Sequence, residues 1–184
     1  MTDRKPPETP SDEADRKQLE MAKAEGAAYH KSLHYMIEEV VDAGAMKEAG
    51  DYVVAIAQER AEGMYRLEGE GKLVWAEPGE GDNCHLEISV SDRGDHRFIP
   101  YLDIEATLTP EEGEAVGPFK VPFLWHPGLY HYGKDLSLPG DGRYSIKIKI
   151  APPTFMRHDE INGKRYAETV AVTFENVEIK TGRE

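Results

Sequence analysis

Four segments of this chain alternate apolar and polar residues with a period of two, and that alternation limits its fold more than any other feature. Cys84, Leu86, Ile88 and Val90 alternate with His85, Glu87 and Ser89. Phe98, Leu102, Ile104, Ala106 and Leu108 interleave with Tyr101, Asp103 and Glu105. Tyr144, Ile146, Ile148 and Ile150 alternate with Ser145, Lys147 and Lys149, and Val170, Val172 and Phe174 repeat the pattern near the end. Successive strand side chains point to opposite faces, so each run presents one buried and one wet face, as antiparallel sheets do. Turn chemistry separates the runs at Pro78-Gly79, Asp92-Arg93-Gly94-Asp95, Pro139-Gly140-Asp141-Gly142 and Asn162-Gly163. Seven or eight short strands over roughly 115 residues predict a mainly β fold. Its expected form is an immunoglobulin-like antiparallel β-sandwich over residues 64–184, without the Cys-Trp-Cys mark of antibody domains.

Before Met64 the period reads closer to 3.6. Leu33, Met36, Ile37, Val40 and Val41 recur at spacings of three and four, which predicts a helix from about Glu13 to Met46. Asp51 is a candidate N-cap for a second helix, Tyr52 to Glu62, with Val53, Ile56 and Ala57 as its apolar stripe and Gly63 as its stop. Residues 13–63 therefore read as an N-terminal helical hairpin. Residues 1–12 combine prolines with charge and are expected to be a disordered tail.

The chain has 184 residues, with 35 Asp and Glu against 22 Lys and Arg, so 22 − 35 gives a formal charge of −13. An acidic balance of this size argues against nucleic acid and anionic membrane surfaces as partners. Cys84 is the only cysteine, which excludes an internal disulfide and a cysteine-rich zinc module. Its alternation with apolar residues makes it a small core residue. No apolar run approaches the roughly 20 residues of a membrane span, so no membrane insertion is expected. No signal peptide is visible, and the chain as given reads as cytoplasmic. A periplasmic or extracellular location is the alternative if the N-terminus has been shortened.

Seven histidines carry most of the chemical information. His85 and Glu87 share one strand face, roughly 7 Å apart along it, where they can share a divalent ion. A strand with a merely polar solvent face gives the same pattern. His126 and His131 flank a Pro-Gly turn inside the aromatic stretch from Trp125 to Gly133. Such a turn can fix two ligands, or can be an aromatic corner with hydrogen-bonded histidines. His158 lies beside Arg157, Asp159 and Glu160, which can orient its ring or pair among themselves. His30 and His34 are four apart on the predicted helix and hence on one face, a spacing that can bind a metal. Position 31 is Lys31, so the His-Glu-x-x-His pattern of zinc proteases is absent. His96 reads as an exposed turn residue. There is no G-x-S-x-G nucleophile elbow and no phosphate-cradling glycine motif.

Several short motifs, in order, resemble the iron-transport-associated (ferrous-iron transport) family of metal-binding proteins. They are His85-Leu86-Glu87, Ile99-Pro100-Tyr101-Leu102, His131-Tyr132-Gly133, Gly142-Arg143-Tyr144 leading to Pro152-Pro153, and Phe155-Met156-Arg157-His158-Asp159. The resemblance covers about residues 83–178. It implies a periplasmic immunoglobulin-like protein, often a homodimer, that works beside an iron permease and binds copper or iron. Carried over by motif, the ligands are Glu87, His131 and His158, with His85 adjacent. Where the family has a methionine seven residues before the His-Tyr-Gly histidine, this chain has Leu124, and His126 can substitute for it.

The expected function is non-enzymatic binding of a divalent ion, iron or copper with zinc possible, in metal acquisition or homeostasis. Imidazole suits all three metals. Two other readings stay open. Two histidines and one carboxylate can form the facial triad of a non-haem iron enzyme. The chain can also be an interaction module with a degenerate metal site.

Overall fold

The computed structural model describes residues 8–184. One helix, α1 (Arg16–Tyr35), opens the fold and runs into a single π turn at Met36–Val40. The chain then forms β1 (Ala43–Ala49), β2 (Tyr52–Glu59), β3 (Met64–Glu68), β4 (Lys72–Ala76), β5 (Cys84–Asp92) and β6 (Ile104–Pro110). It ends with β7 (Val116–Lys120), β8 (Phe123–Leu124), β9 (His131–Leu136), β10 (Gly142–Ile150) and β11 (Val170–Ile179). A five-stranded antiparallel sheet in the order β1-β2-β5-β9-β8 faces a four-stranded one in the order β11-β10-β6-β7. Strands β3 and β4 form a separate two-stranded hairpin. The mainly β, sandwich-like fold expected from the alternation is the fold observed.

The core lies between the two sheets. Leu86, Ile88 and Val90 from β5 and Val54 and Ile56 from β2 meet Ile104, Leu108, Ile146, Ile148 and Phe174 there, all essentially inaccessible. Cys84 is buried among them as expected, and burial pushes its thiol up to about 12.

The helical hairpin is the main correction. There is one N-terminal helix, and the segment from Tyr52 that reads as a second helix is strand β2. The physical reason is that β2 is buried on both faces. Tyr52, Val54 and Ile56 face the sandwich core, while Ala55 packs in a second small cluster with Leu33 and Leu129. A strand covered on both sides is apolar throughout and loses its period-two signature. Val53, Ile56 and Ala57 then fall at helical spacing by coincidence. Asp51 is not an N-cap, since its carboxylate accepts the Tyr166 backbone N–H (2.8 Å). It belongs to the two-residue turn Gly50-Asp51 between β1 and β2, where Gly50 takes the positive φ (59°) that such hairpins require. The sheet scaffold thus takes in residues 43–59, ahead of the expected start at Met64.

Helix α1 starts at a capping box: Asp15 accepts the Gln18 N–H while the Gln18 side chain accepts the Asp15 N–H, both at 2.8 Å. It lies on the outer face of the five-stranded sheet. The Tyr29 hydroxyl donates to the Tyr130 carbonyl (2.7 Å) and meets Ser89 Oγ (2.9 Å). Leu33 is buried against Ala55 and Leu129. Residues 8–12 of the expected disordered tail are tethered by polar contacts instead of apolar burial. Glu8 pairs with Arg97 (3.0 Å), Thr9 exchanges two hydrogen bonds with Asn162, and Ser11 donates to Asp159 (2.6 Å). Residues 1–7 of that tail lie outside the described residues.

Gly26 fixes how closely α1 approaches the sheet. A Cβ at this position would sit 1.8 Å from the Asp95 carbonyl oxygen and 2.7 Å from the Arg97 nitrogen. Alanine favours helix by about 1 kcal/mol over glycine, but a clash with backbone cannot be relieved by a rotamer change. Gly26→Ala is therefore expected to destabilise the docked helix by ~1–3 kcal/mol net. Limited proteolysis should cut the variant within residues 16–35 faster than the unaltered chain. Equal cleavage rates would show that the close approach does not hold the helix.

Candidate metal centre

Strands β5 and β9 build the site by register. His85 lies opposite Asp135 and Glu87 opposite Gly133. On β9, His131, Gly133 and Asp135 share one face because they are two apart. That face adjoins the face of β5 carrying His85, Glu87 and Ser89. Both faces point away from the sandwich core, yet His85, Glu87 and His131 are buried. The expectation that His85 and Glu87 share a face is met, and the expectation that the face is wet is not. Leu33 and Met36 from the N-terminal helical segment, with Leu129, cover Glu87, Ser89 and His131.

The three side chains converge. His131 Nε2 lies 3.1 Å from Glu87 Oε1, and His85 Nε2 lies 4.0 Å from the same oxygen. One ligand atom from each residue falls within 4.8 Å of the others. His85 Nδ1 is 2.9 Å from Asp135 Oδ1, so the Nδ1–H donates to the carboxylate and Nε2 is turned toward the site. That Nε2 has no hydrogen-bond partner among the described residues. Carboxylate-oriented imidazoles of this kind are typical of metal-binding histidines. Glu62, on the segment leading into β3, brings Oε1 to 3.8 Å from His85 Nε2 and is 38% exposed. It stands where the site meets solvent.

Gly133 supplies the space. A Cβ there would come within 2.9 Å of His85 Nε2 and 2.7 Å of Leu124 Cδ1. Orphaned nitrogen, buried carboxylate and a gap that a methyl group would fill together fit a small cation. The donor set of two imidazoles and one carboxylate suits Fe, Cu or Zn in the divalent state. Gly133→Ala should keep the fold, because Gly133 is not at positive φ. It should weaken metal binding by ~10-fold or more, the scale of a misoriented ligand. Unchanged affinity in a metal titration would mean that the ion sits elsewhere.

The electrostatics differ at each ligand. Burial pushes Glu87 up to about 7; His85 opposes this, and Glu59 and Glu62 add to it. Burial lowers His85, but the Asp135 hydrogen bond and the charges of Glu87 and Glu62 outweigh it, so the ring is held above its ordinary value. His131 is pushed down to about 4, mainly by burial and next by His85. Near neutral pH the site therefore holds a neutral His131 beside a carboxyl and an imidazole that share protons readily.

Two residues expected at the site are placed differently. His126 is a neighbour, its ring centroid 5.9 Å from that of His131, but its Nδ1 accepts the Gly128 N–H (3.0 Å) and it does not join the converging atoms. His158 is remote. Its side chain is 92% exposed, with Nδ1 2.9 Å from Glu13. The segment that carries it is pinned at the other end of β5, where Arg165 and Tyr166 bond Asp92. Seven residue steps along the strand take His85 to Asp92, roughly 23 Å. Asp135 and Glu62 were not among the expected residues. The alternation His131-x-Gly133-x-Asp135 carries the signal for Asp135 once the segment is read as a strand. Nothing in the local sequence marks Glu62.

The sequence profile of the Fe2+ transport protein family matches residues 32–180. The chain belongs to this family. UPF0423 proteins of Brucella abortus (strain 2308) and Brucella suis are 29% identical to it over 124 residues, which is 62% of this chain. The match spans about 60% of the length of those relatives. Among solved structures, a copper-bound variant of FetP from uropathogenic Escherichia coli is 23% identical with a TM-score of 0.61, covering 74% of this chain and 95% of FetP. Copper-reconstituted P19 from Campylobacter jejuni is 18% identical with a TM-score of 0.62, covering 77% and 96%. At these identities the family member shares their fold. The cytoplasmic reading of the sequence is corrected by the same comparison. FetP as isolated, 22% identical with a TM-score of 0.58, was recombinantly expressed in the periplasm.

Proposed function

We propose that this family member binds one divalent iron or copper ion through His85, Glu87 and His131, in metal homeostasis. The observation that carries the reading is the convergence of three buried donor groups beside a histidine nitrogen without a protein partner. Membership of the Fe2+ transport family and the copper-bound states of FetP and P19 support it. Asp135 holds His85 in the ligating tautomer, and Glu62 serves as a fourth ligand, the second oxygen, on the solvent side. The ion is cargo, and the acidic surroundings of Glu59, Glu62 and Glu87 draw it in.

The role is non-enzymatic. The cavity beside Glu87 and His131 has about 10 Å³ of room, lined by Leu33, Met36, Ala55, Ile56 and Leu129. That is the space of about one water, too little for the organic cosubstrate of a two-His one-carboxylate oxygenase. Calorimetric titration of untagged protein with Fe(II) and Cu(II) tests the reading; a saturable site that is lost in His131→Ala is the expected result. Absence of binding would return the chain to the interaction-module reading.

Exposed His158 can serve such a site only from a second copy. We therefore propose a homodimer working beside an iron permease, as the family resemblance implies. Light scattering at micromolar concentration should give twice the chain mass, and a clean monomer would remove both the dimer and the role of His158.

A further inference from the structure

A second group of imidazoles lies on α1 and is independent of the His85–Glu87–His131 reading. His30 Nε2 and His34 Nε2 face each other at 3.1 Å. His34 Nδ1 lies 3.3 Å from Glu38 Oε1, so the Nδ1–H donates to the carboxylate and Nε2 faces His30. The His30 ring stacks on His96, with centroids 4.2 Å apart and planes within 19°. His96 is not the free turn residue that the sequence implies. It adopts a positive φ (65°), uncommon outside glycine, and its N–H donates to the Asp92 carbonyl (2.9 Å). The turn is further held by the Gly94 and Asp95 N–H groups on Asp92 Oδ1. This is the same turn against which Gly26 seats the helix. Three imidazoles from two elements are thus held in fixed positions, and the buried Nδ1 atoms of His30 and His96 have no partner among the described residues.

We infer that His30 and His34 form a second, accessory metal site, a two-nitrogen chelate for a borderline divalent ion such as Cu(II) or Zn(II). The spacing carries the inference. Metal–nitrogen bonds of about 2.0–2.1 Å place two ligand nitrogens about 2.9 Å apart at a right angle and about 3.4 Å apart at a tetrahedral one. The observed 3.1 Å lies between these limits. Nitrogens four residues apart on a helix lie on one face, so binding needs no backbone movement. The His34 side chain is 44% exposed, which leaves the remaining coordination positions to water. Glu38 fixes the His34 tautomer, and the His96 stack fixes the plane of the His30 ring. The competing account is a plain imidazole–imidazole hydrogen bond, which needs no ion. Leu33, between the two histidines, lies over the His85–Glu87–His131 group. The accessory ion would therefore sit on the element that covers the first site.

The test uses the full untagged chain with Cu(II) or Zn(II) alone. The unaltered protein should take up two ions per chain. His85→Ala/His131→Ala should keep one, with a Cu(II) electron paramagnetic resonance spectrum showing two equatorial nitrogens. His30→Gln/His34→Gln, which keeps hydrogen-bonding capacity on the helix, should lower the uptake of the otherwise unaltered chain by one. His34→Gln alone should weaken the accessory site by more than ~10-fold, since it leaves one imidazole in place of two. Unchanged stoichiometry in His30→Gln/His34→Gln overturns the inference, whether or not the His85→Ala/His131→Ala variant folds. Uptake of a single ion, lost in His131→Ala, overturns it while sustaining the first site. A single ion lost only in His30→Gln/His34→Gln sustains it and removes the first site.

Discussion

Replacing His131 by alanine is expected to weaken metal binding by more than ~100-fold, above the range of changes beyond the ligands themselves. His131 contributes the nitrogen nearest to Glu87, at 3.1 Å, and no other group among the described residues stands in its position. His126 is the nearest alternative, but its Nδ1 is engaged by Gly128. Asp135→Asn tests the next layer. An amide can still accept from His85 Nδ1 but carries no charge, and flipped it would donate there and favour the wrong tautomer. Its cost should fall at ~10–100-fold, below that of His131→Ala. His126→Ala should change affinity by less than that. Titration of the three variants, with circular dichroism to verify the fold, gives the order. Affinity within tenfold of the unaltered protein in His131→Ala would place the ion outside this group.

The fold was legible wherever one face of a strand is buried and the other is not. β10 shows it best: Tyr144, Ile146, Ile148 and Ile150 are buried while Lys147 and Lys149 are exposed. Legibility failed at β2, which is buried on both faces and so reads as a generic apolar run. The Gly50-Asp51 hairpin turn was the available clue there, and helical spacing around it masked the turn.

The site was half legible. His85 and Glu87 are two apart on an evident strand, so their common face follows from the sequence. Their burial does not, because it depends on where α1 docks, and that is set by Gly26 against a turn roughly 70 residues away in sequence. His131 entered through its Pro-Gly and aromatic neighbourhood. Its strand register, which brings Gly133 opposite Glu87 and Asp135 opposite His85, is a long-range property. His158 lies apart from this group within one chain: a motif shared with a family fixes residue type, whereas convergence depends on chain path and on copy number.

Metal affinity should also fall steeply as the pH drops through 7, and the groups responsible are specific. A ligand must be deprotonated to bind an ion. Glu87 holds its proton up to about 7 and His85 is raised above its ordinary value, so both compete with the metal below neutrality. His131, held down to about 4, does not compete in this range. Each proton displaced adds ~10-fold per pH unit, so two groups give a slope approaching ~100-fold per unit below pH 6.5. Above pH 8 the affinity should level off. The same groups set the sign for stability. A carboxyl raised from 4.5 to about 7 favours the fold at low pH, and that contribution is lost as pH rises from about 4.5 through 7. His85 acts in the same sense at higher pH. The lowered His131 acts oppositely, but only between about 4 and 6.5. Between pH 6.5 and 8 the metal-free site therefore loses stability while a bound ion, which needs the deprotonated groups, gains affinity. An ion that binds only the folded chain raises its melting temperature in proportion to the logarithm of that affinity. The melting-temperature increase at saturating Zn(II) should be larger at pH 8 than at pH 6.5, and larger there than at pH 5.5. An increment that is flat across this range, in the His30→Gln/His34→Gln background that isolates the site, would show that Glu87 and His85 do not hold the ion.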